Sequence, residues 1–140
     1  MRLAVIAALV LIPTAGCSSG KSISLPSPVE AGGKVTFASG QPVRDVYIVL
    51  TPTDAMAPAN GKVKSDGTFS LKTYDEKPGA VPGKYRVTFQ APVGAPVAEV
   101  KAAEAMLAQI PAKYKQDSSP LEVEIPSGGN TRLDLKLDAK

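Results

Sequence analysis

Strict alternation of apolar and charged residues marks the C-terminal part of the chain. In residues 131–138, which begin with threonine, leucines at 133, 135 and 137 alternate with charged side chains. Successive side chains of a β-strand point to opposite faces, so this segment is predicted to be a strand with one buried face. Residues 121–125 alternate in the same way. The Ser-Gly-Gly-Asn connection at 127–130 predicts that the two strands form a β-hairpin.

Five more segments carry apolar residues that alternate with polar ones or run together, and turn residues lie between them, which predicts strands at 33–37, 46–50, 61–64, 69–72 and 85–90. The Ser65-Asp66-Gly67 turn is expected to pair 61–64 with 69–72 in a hairpin. Residues 46–50 are apolar at every position, which favours a central strand buried on both faces. Seven short strands with frequent turns are typical of an all-β sandwich.

One segment departs from this pattern. Between residues 97 and 110, apolar residues are spaced by three or four positions, at Val100, Ala103, Leu107 and Ile110. This spacing predicts a short helix with one narrow apolar face. Pro96 suits the first helical position and Pro111 ends the pattern. Because the face is narrow and rich in alanine, we expect the helix to cover an edge or end of the sandwich.

The chain begins with the pattern of an export signal. Arg2 supplies a positive charge, residues 3–12 are all apolar, and the Pro-Thr-Ala-Gly segment at 13–16 leads directly to Cys17. The apolar run is shorter than the roughly 20 residues that a membrane span needs. This segment has three interpretations. Cys17 carries a lipid, or it is a free cysteine after an ordinary secretory signal, or the apolar segment is an uncleaved anchor.

Ala15-Gly16-Cys17 resembles the end of the lipobox of bacterial lipoproteins, although Thr14 stands where that motif usually has leucine. The resemblance implies a diacylglycerol on the Cys17 sulfur, cleavage before Cys17, and acylation of the new N-terminus by chains such as palmitate. The same resemblance implies sorting to the outer membrane, because the residue after the cysteine is Ser18 rather than aspartate. The expected organisation is a signal peptide at 1–16, a flexible tether at 17–28 and one domain at 29–140.

Composition narrows the classes of function. The 140 residues include 12 Gly, 13 Pro and no Trp, which suits many turns around an aliphatic core. The net charge of +3 is small and the lysines are scattered, so a nucleic-acid partner is not expected. The chain has one Cys and no His. This inventory excludes an internal disulfide and a Ser-His-Asp triad, and a Cys nucleophile would have to be the lipid-carrying residue.

The order of several motifs is similar to that in small lipoproteins of planctomycete-type bacteria that carry a transthyretin-like, or carboxypeptidase-regulatory-like, domain. The matching segments are residues 33–37, 40–43, 66–71, 79–85, 110–114 and 118–121. The likeness covers residues 29 to 138. It implies a seven-stranded Greek-key sandwich on a surface lipoprotein, without an established activity. Related sandwiches that act as hydroxyisourate hydrolases or intradiol dioxygenases use histidine, which this chain lacks.

Carboxylates are the remaining candidates for chemistry. Glu122 and Glu124 share one strand face about 7 Å apart, a spacing that could suggest a glycosidase pair, but a solvated strand face is the favoured interpretation. Asp66 is interpreted as a turn residue rather than a calcium ligand. Asp75 and Glu76 form the better calcium candidate, and a solvated loop is the alternative.

The four tyrosines Tyr47, Tyr74, Tyr85 and Tyr114 could form a carbohydrate-stacking platform. Tyr85 is expected in the core, and Tyr114, in a proline-flanked loop, is the tyrosine expected at the surface. The sequence therefore favours a non-enzymatic, lipid-anchored envelope module without cofactor or metal, whose partner is an envelope protein or a polysaccharide. A carbohydrate- or small-ligand-binding lipoprotein is the alternative, and an enzyme is disfavoured.

Overall fold

The computed structural model describes residues 26–55, 57–73 and 76–138. Over these ranges the chain forms seven strands and one α-helix. The elements are β1 (Ala31–Phe37), β2 (Tyr47–Pro52), β3 (Ala59–Lys62), β4 (Thr68–Ser70), β5 (Gly83–Gln90), α1 (Val97–Gln109), β6 (Glu122–Ile125) and β7 (Asn130–Leu137). A 3₁₀ turn at Ala112–Tyr114 follows the helix. The predicted all-β class with a single helix is confirmed.

The strands form two sheets that pack as a sandwich. One sheet has the order β4-β1-β7, and the other has the order β3-β2-β5-β6. β1 and β7 run parallel, whereas the other neighbouring strands run antiparallel. The first and last strands of the domain are therefore neighbours. The two-sheet architecture agrees with the predicted sandwich, and its Greek-key connectivity stays a prediction.

The predicted hairpin between the last two strands is wrong. β6 pairs with β5, where Val123 lies opposite Tyr85, while β7 pairs with β1, where Leu135 lies opposite Val35. The Gly-rich connection between them thus crosses from one sheet to the other. Alternation shows which face of each strand is buried, but an inward row of leucines fits either sheet, so it does not select the partner.

The predicted turn at Asp66-Gly67 is present, but it joins strands of different sheets. Gly67 N–H donates to the Lys64 carbonyl at 3.0 Å, and Lys64 N–H donates to the Thr68 carbonyl at 2.8 Å. The left-handed φ of +84° at Gly67 explains the glycine there. Isolated bridges connect the two sides of the turn, while β3 belongs to one sheet and β4 to the other. The chain therefore changes sheet beyond β3.

The core lies between the sheets and consists mainly of aliphatic residues. In β2, Ile48 and Leu50 are buried, and they lie beside the buried Phe89 and Val87 of β5. On the opposite face of β2, Tyr47 and Val49 are only half-buried. β2 is a central strand as predicted, but only one of its faces is fully buried. The other face is open enough to form part of a surface groove.

The helix lies across the end of the sandwich where β1 and β5 finish. Ala103 and Met106 are its buried residues, and Met106 lines a pocket together with Phe37 at the end of β1. Of the predicted apolar face, Ala103 and Ile110 are buried and Leu107 packs against the core. Val100 is only half-buried, and the buried Met106 was not part of the predicted face. Pro96 is the N-cap residue rather than the first helical residue. No helix of the described ranges is long and apolar enough to cross a membrane.

Candidate functional site

The outer face of the four-stranded sheet carries a row of polar and aromatic side chains. In the registered ladder, Tyr47 lies opposite Lys62 of β3 on one side and Gln90 of β5 on the other. Residues directly opposite each other share a face, so these three side chains lie in one row across the sheet. One step along β2, Val49 lies between Asn60 and Thr88. The face is polar around a small apolar centre.

A groove of about 300 Å³ lies on this face beside the end that the helix covers. Its lining combines apolar and amide groups from the strands β2, β3 and β5 and from the loop after β5: Tyr47, Val49, Pro58, Ala59, Asn60, Gln90, Ala91, Pro92 and Val93. Val93 is 94% exposed, and Val97 at the start of the helix is 71% exposed. The volume is at the lower end of the range of small-molecule sites, about 300–1,000 Å³.

The ion pair next to this groove, Lys62 with Glu99, has no net charge. Lys62 Nζ lies 3.0 Å from Glu99 Oε2, which connects β3 to the first turn of the helix. The hydrogen bond and the attraction from Glu99 raise the pKa of Lys62 above its ordinary value. Lys62 is therefore protonated at neutral pH, and Glu99 offsets its charge. The amides of Asn60 and Gln90 then suit a neutral, hydroxylated ligand better than a strongly charged one.

The tyrosines do not form the platform that the sequence suggested. Tyr85 is buried, as predicted, and its hydroxyl donates to the Val81 carbonyl at 2.5 Å. The predicted surface role of Tyr114 is wrong, because this residue is 5% exposed and belongs to the core cluster. Its 3₁₀ turn folds the ring inward, which the flanking prolines did not indicate. Tyr74 lies outside the described residues, and Tyr47 lines the groove on the outer face.

The two glutamates of β6 agree with a solvated strand face. Both are exposed, and Glu124 lies opposite Lys84. Glu122 Oε1 is 3.7 Å from Arg86 Nη2. Each carboxylate therefore faces a cation across the β5–β6 ladder. This arrangement accounts for both residues without a catalytic role.

Sequence reasoning did not single out Arg86, which connects two parts of the molecule. Its Nη1 donates to the Asp117 carbonyl at 2.8 Å, so the segment before β6 is attached to the sheet. Its Nε is buried and is the only such side-chain nitrogen or oxygen of the described residues without a hydrogen-bond partner. In the sequence, an arginine between Tyr85 and Val87 indicates only that its side chain points away from the core. Its contact with a segment 31 positions away depends on the tertiary fold.

The interpretation of Asp66 as a turn residue is confirmed. Its carboxylate accepts hydrogen bonds from the Thr68 hydroxyl at 2.6 Å and the Thr68 N–H at 3.0 Å. These hydrogen bonds lower the pKa of Asp66 below its ordinary value. Such local bonding is the usual use of Asp in a turn.

The calcium interpretation of the next loop stays a prediction. Glu76 pairs with Lys72, whose Nζ lies 2.9 Å from Glu76 Oε2, and Asp75 lies outside the described residues. The described ranges hold no group of three or more His, Cys, Asp and Glu side chains that could bind a metal ion.

The predicted lipid site, Cys17, also lies outside the described residues, as do the signal peptide and most of the tether. Comparisons with protein-family models, with curated proteins and with solved structures found no match to this chain. The resemblance to transthyretin-like lipoproteins therefore stays a prediction from its motifs.

Proposed function

We propose that this protein is an exported lipoprotein that presents its β-sandwich at the cell envelope, most simply at the outer membrane, as a non-catalytic interaction module. The observation that carries the proposal is the position of Cys17. It follows an apolar run and the four residues Pro-Thr-Ala-Gly, and it precedes a polar segment that leads into the sandwich. The transthyretin-like resemblance is part of the same proposal.

The spacing between Cys17 and the sandwich suits an anchored domain. Among the described residues, which begin at residue 26, Val29 is the first that pairs, since its N–H donates to the Ala80 carbonyl at 2.9 Å. The segment 18–28 contains serines, prolines and a glycine. An extended chain of this length reaches about 40 Å, which is enough to hold the domain clear of lipid headgroups. Two or more acyl chains anchor a protein stably, whereas one does not.

The test is the fate of the protein when its cysteine is removed. In Cys17→Ala, the full chain should leave the membrane fraction, and the mass that corresponds to the acyl chains should be lost from the intact protein. Ser18→Ala is the matched control, because it changes the next small residue and keeps the thiol. A Cys17→Ala protein that stays membrane-bound with no change in acyl mass would refute the anchor.

The groove at Tyr47 supports a second candidate function, the binding of a carbohydrate or another small hydroxylated ligand. The exposed part of the Tyr47 ring could stack against a sugar, and the amides of Asn60 and Gln90 are placed to bond its hydroxyls. Saturation-transfer NMR with envelope polysaccharide fragments tests this function. Tyr47→Ala should abolish transfer, while Thr88→Ala, on the same sheet face but outside the groove lining, should preserve it. Equal transfer to both variants would exclude the groove.

A further inference from the structure

The long edge of the three-stranded sheet is unpaired over its middle. β7 has β1 on one side, and in the described residues no strand pairs with its other side. The Leu137 carbonyl accepts from Ala38 N–H at 2.8 Å, so the backbone groups of Leu137 point to β1. Because these groups alternate along a strand, the N–H and C=O of Asp134 and Lys136 point to the free edge.

Side chains cover both ends of this edge. Arg132 N–H donates to Asn130 Oδ1 at 2.8 Å, and Asp138 N–H lies 3.4 Å from the Tyr114 hydroxyl oxygen. The open part is thus limited to the stretch between them, where Asp134 and Lys136 present two N–H and two C=O groups. Both side chains are mostly exposed, at 65% and 71%.

We propose that the β7 edge pairs antiparallel with the β7 edge of a second copy of this chain. The two-fold axis passes beside Leu135. Asp134 then lies opposite Lys136 of the second copy, and Lys136 lies opposite Asp134 of the second copy. Both are hydrogen-bonded pairs, in which the two residues exchange N–H···O bonds. The arrangement satisfies all of the open backbone groups and joins two sheets into one continuous sheet.

The charges of β7 favour an axis at a leucine, and the covered N–H groups of Arg132 and Asp138 restrict it to Leu135. With the axis at Leu135, both directly opposite pairs at the centre combine an acid with a lysine. A shift of the axis to Asp134 would place Asp134 against its own copy and Lys136 against Arg132. A shift to Lys136 would place Lys136 against its own copy and Asp134 against Asp138. Like charges directly opposite are destabilising, so both neighbouring registers are disfavoured.

The edge of the other sheet shows the opposite design. In β6, Leu121 accepts from Val87 N–H at 2.8 Å, so the backbone groups of Glu122 and Glu124 point to the free side. Antiparallel pairing of two β6 strands about Val123 would place glutamates opposite glutamates. Charged side chains commonly protect an edge from pairing, and two acids do so here. In β7 the charged side chains alternate in sign. A strand that carries charges of one sign would meet a like charge at some positions, whereas a second β7 strand that runs antiparallel can place an opposite charge at each position.

Sedimentation of the full chain in mild detergent tests the proposal. We expect a dimer whose population rises with protein concentration. Asp134→Lys and Lys136→Asp should each weaken it by more than about tenfold, because each places like charges opposite one another. An equimolar mixture of the two variants should restore a dimer, now mixed, and the double variant Asp134→Lys/Lys136→Asp should restore self-association. Lys101→Asp, an exposed reversal on the helix, is the matched control.

Several results would overturn the proposal: a monomer at all concentrations, a dimer that both single reversals leave intact, or the absence of rescue in the mixture. If a reversal prevents folding, a wild-type measurement decides the question. A mixture of isotopically light and heavy protein, treated with a carbodiimide, should yield Asp134–Lys136 crosslinks that join one light and one heavy peptide. If every crosslink joins peptides of the same isotope, the pairing is refuted. The inference needs neither acylated Cys17 nor a ligand in the groove, so it stands or falls separately from the proposed function.

Discussion

The Tyr114 hydroxyl donates a hydrogen bond to Asp138 Oδ2 at 2.9 Å, between residues that are 24 positions apart. This bond ties the 3₁₀ turn after the helix to the residue that follows β7. Lys113 pairs with the same carboxylate, and its Nζ lies 4.8 Å from the centre of the Tyr114 ring. The three side chains close the end of the sandwich beside the last strand.

This cluster predicts a specific acid dependence. The hydrogen bond from Lys113 and then that from Tyr114 lower the pKa of Asp138 below its ordinary value of 3.8. A lowered folded-state pKa contributes stability that is present above the unfolded value and is lost as pH falls through the folded value. Tyr114→Phe should therefore raise the pKa of Asp138, as measured by NMR titration of its carboxyl carbon. Tyr47→Phe is the control, and an equal pKa in Tyr114→Phe and wild type would contradict the assignment.

Tyr85→Phe should destabilise the fold. The phenol is fully buried and its hydroxyl is bonded to the Val81 carbonyl, so the variant leaves that buried carbonyl without this donor. An unsatisfied buried acceptor costs about 1–3 kcal/mol. Urea denaturation should show this loss as a lower midpoint with an unchanged slope. Tyr47→Phe, at a half-buried position, should change the midpoint little, and equal midpoints for the two variants would argue against a structural role for the Tyr85 hydroxyl.

Gly33→Ala should destabilise the pairing of β1 and β7. A Cβ at this position would overlap the Leu133 carbonyl, where the register between the two strands shifts. Forcing extra atoms into a closely packed site costs about 1–3 kcal/mol, and a backbone neighbour cannot move aside as a flexible side chain can. Gly128→Ala is the control, since a Cβ there has no atom within 4 Å. Thermal melts should separate the two variants; the same melting temperature for both would contradict the close approach.

Met106→Ala should detach the helix from the end of the sandwich. Met106 is 7% exposed and belongs to the core cluster, so its truncation leaves a cavity. Such truncations cost about 2–5 kcal/mol. Hydrogen exchange should show a loss of protection in residues 97–109 that exceeds the loss in β2. Val97→Ala removes a side chain that is 71% exposed and should leave exchange unchanged. Unchanged exchange in Met106→Ala would indicate that the helix is held by other contacts.

The local pattern was sufficient for the strands themselves. Strict alternation in residues 131–138 correctly placed Leu135 and Leu137 in the core, because the direction of a side chain in a strand follows from its position alone. The Asp66-Gly67 turn was also readable, since a left-handed φ and a self-bonding Asp are properties of a few neighbouring residues. The sequence also showed that the chain has no His, which excludes a Ser-His-Asp triad.

What only the tertiary structure decided is which segments become neighbours. The same alternation fits a β6–β7 hairpin or the observed pairing of β7 with β1, because a leucine row carries no label for its partner. Tyr114 is buried since the 3₁₀ turn brings it to Asp138, a contact that no local spacing encodes. The charges of β7 were visible in the sequence, but only the tertiary structure shows that one edge of this strand is unpaired within the described ranges. A charge pattern can select a partner strand only after the fold has determined which side of that strand is left open.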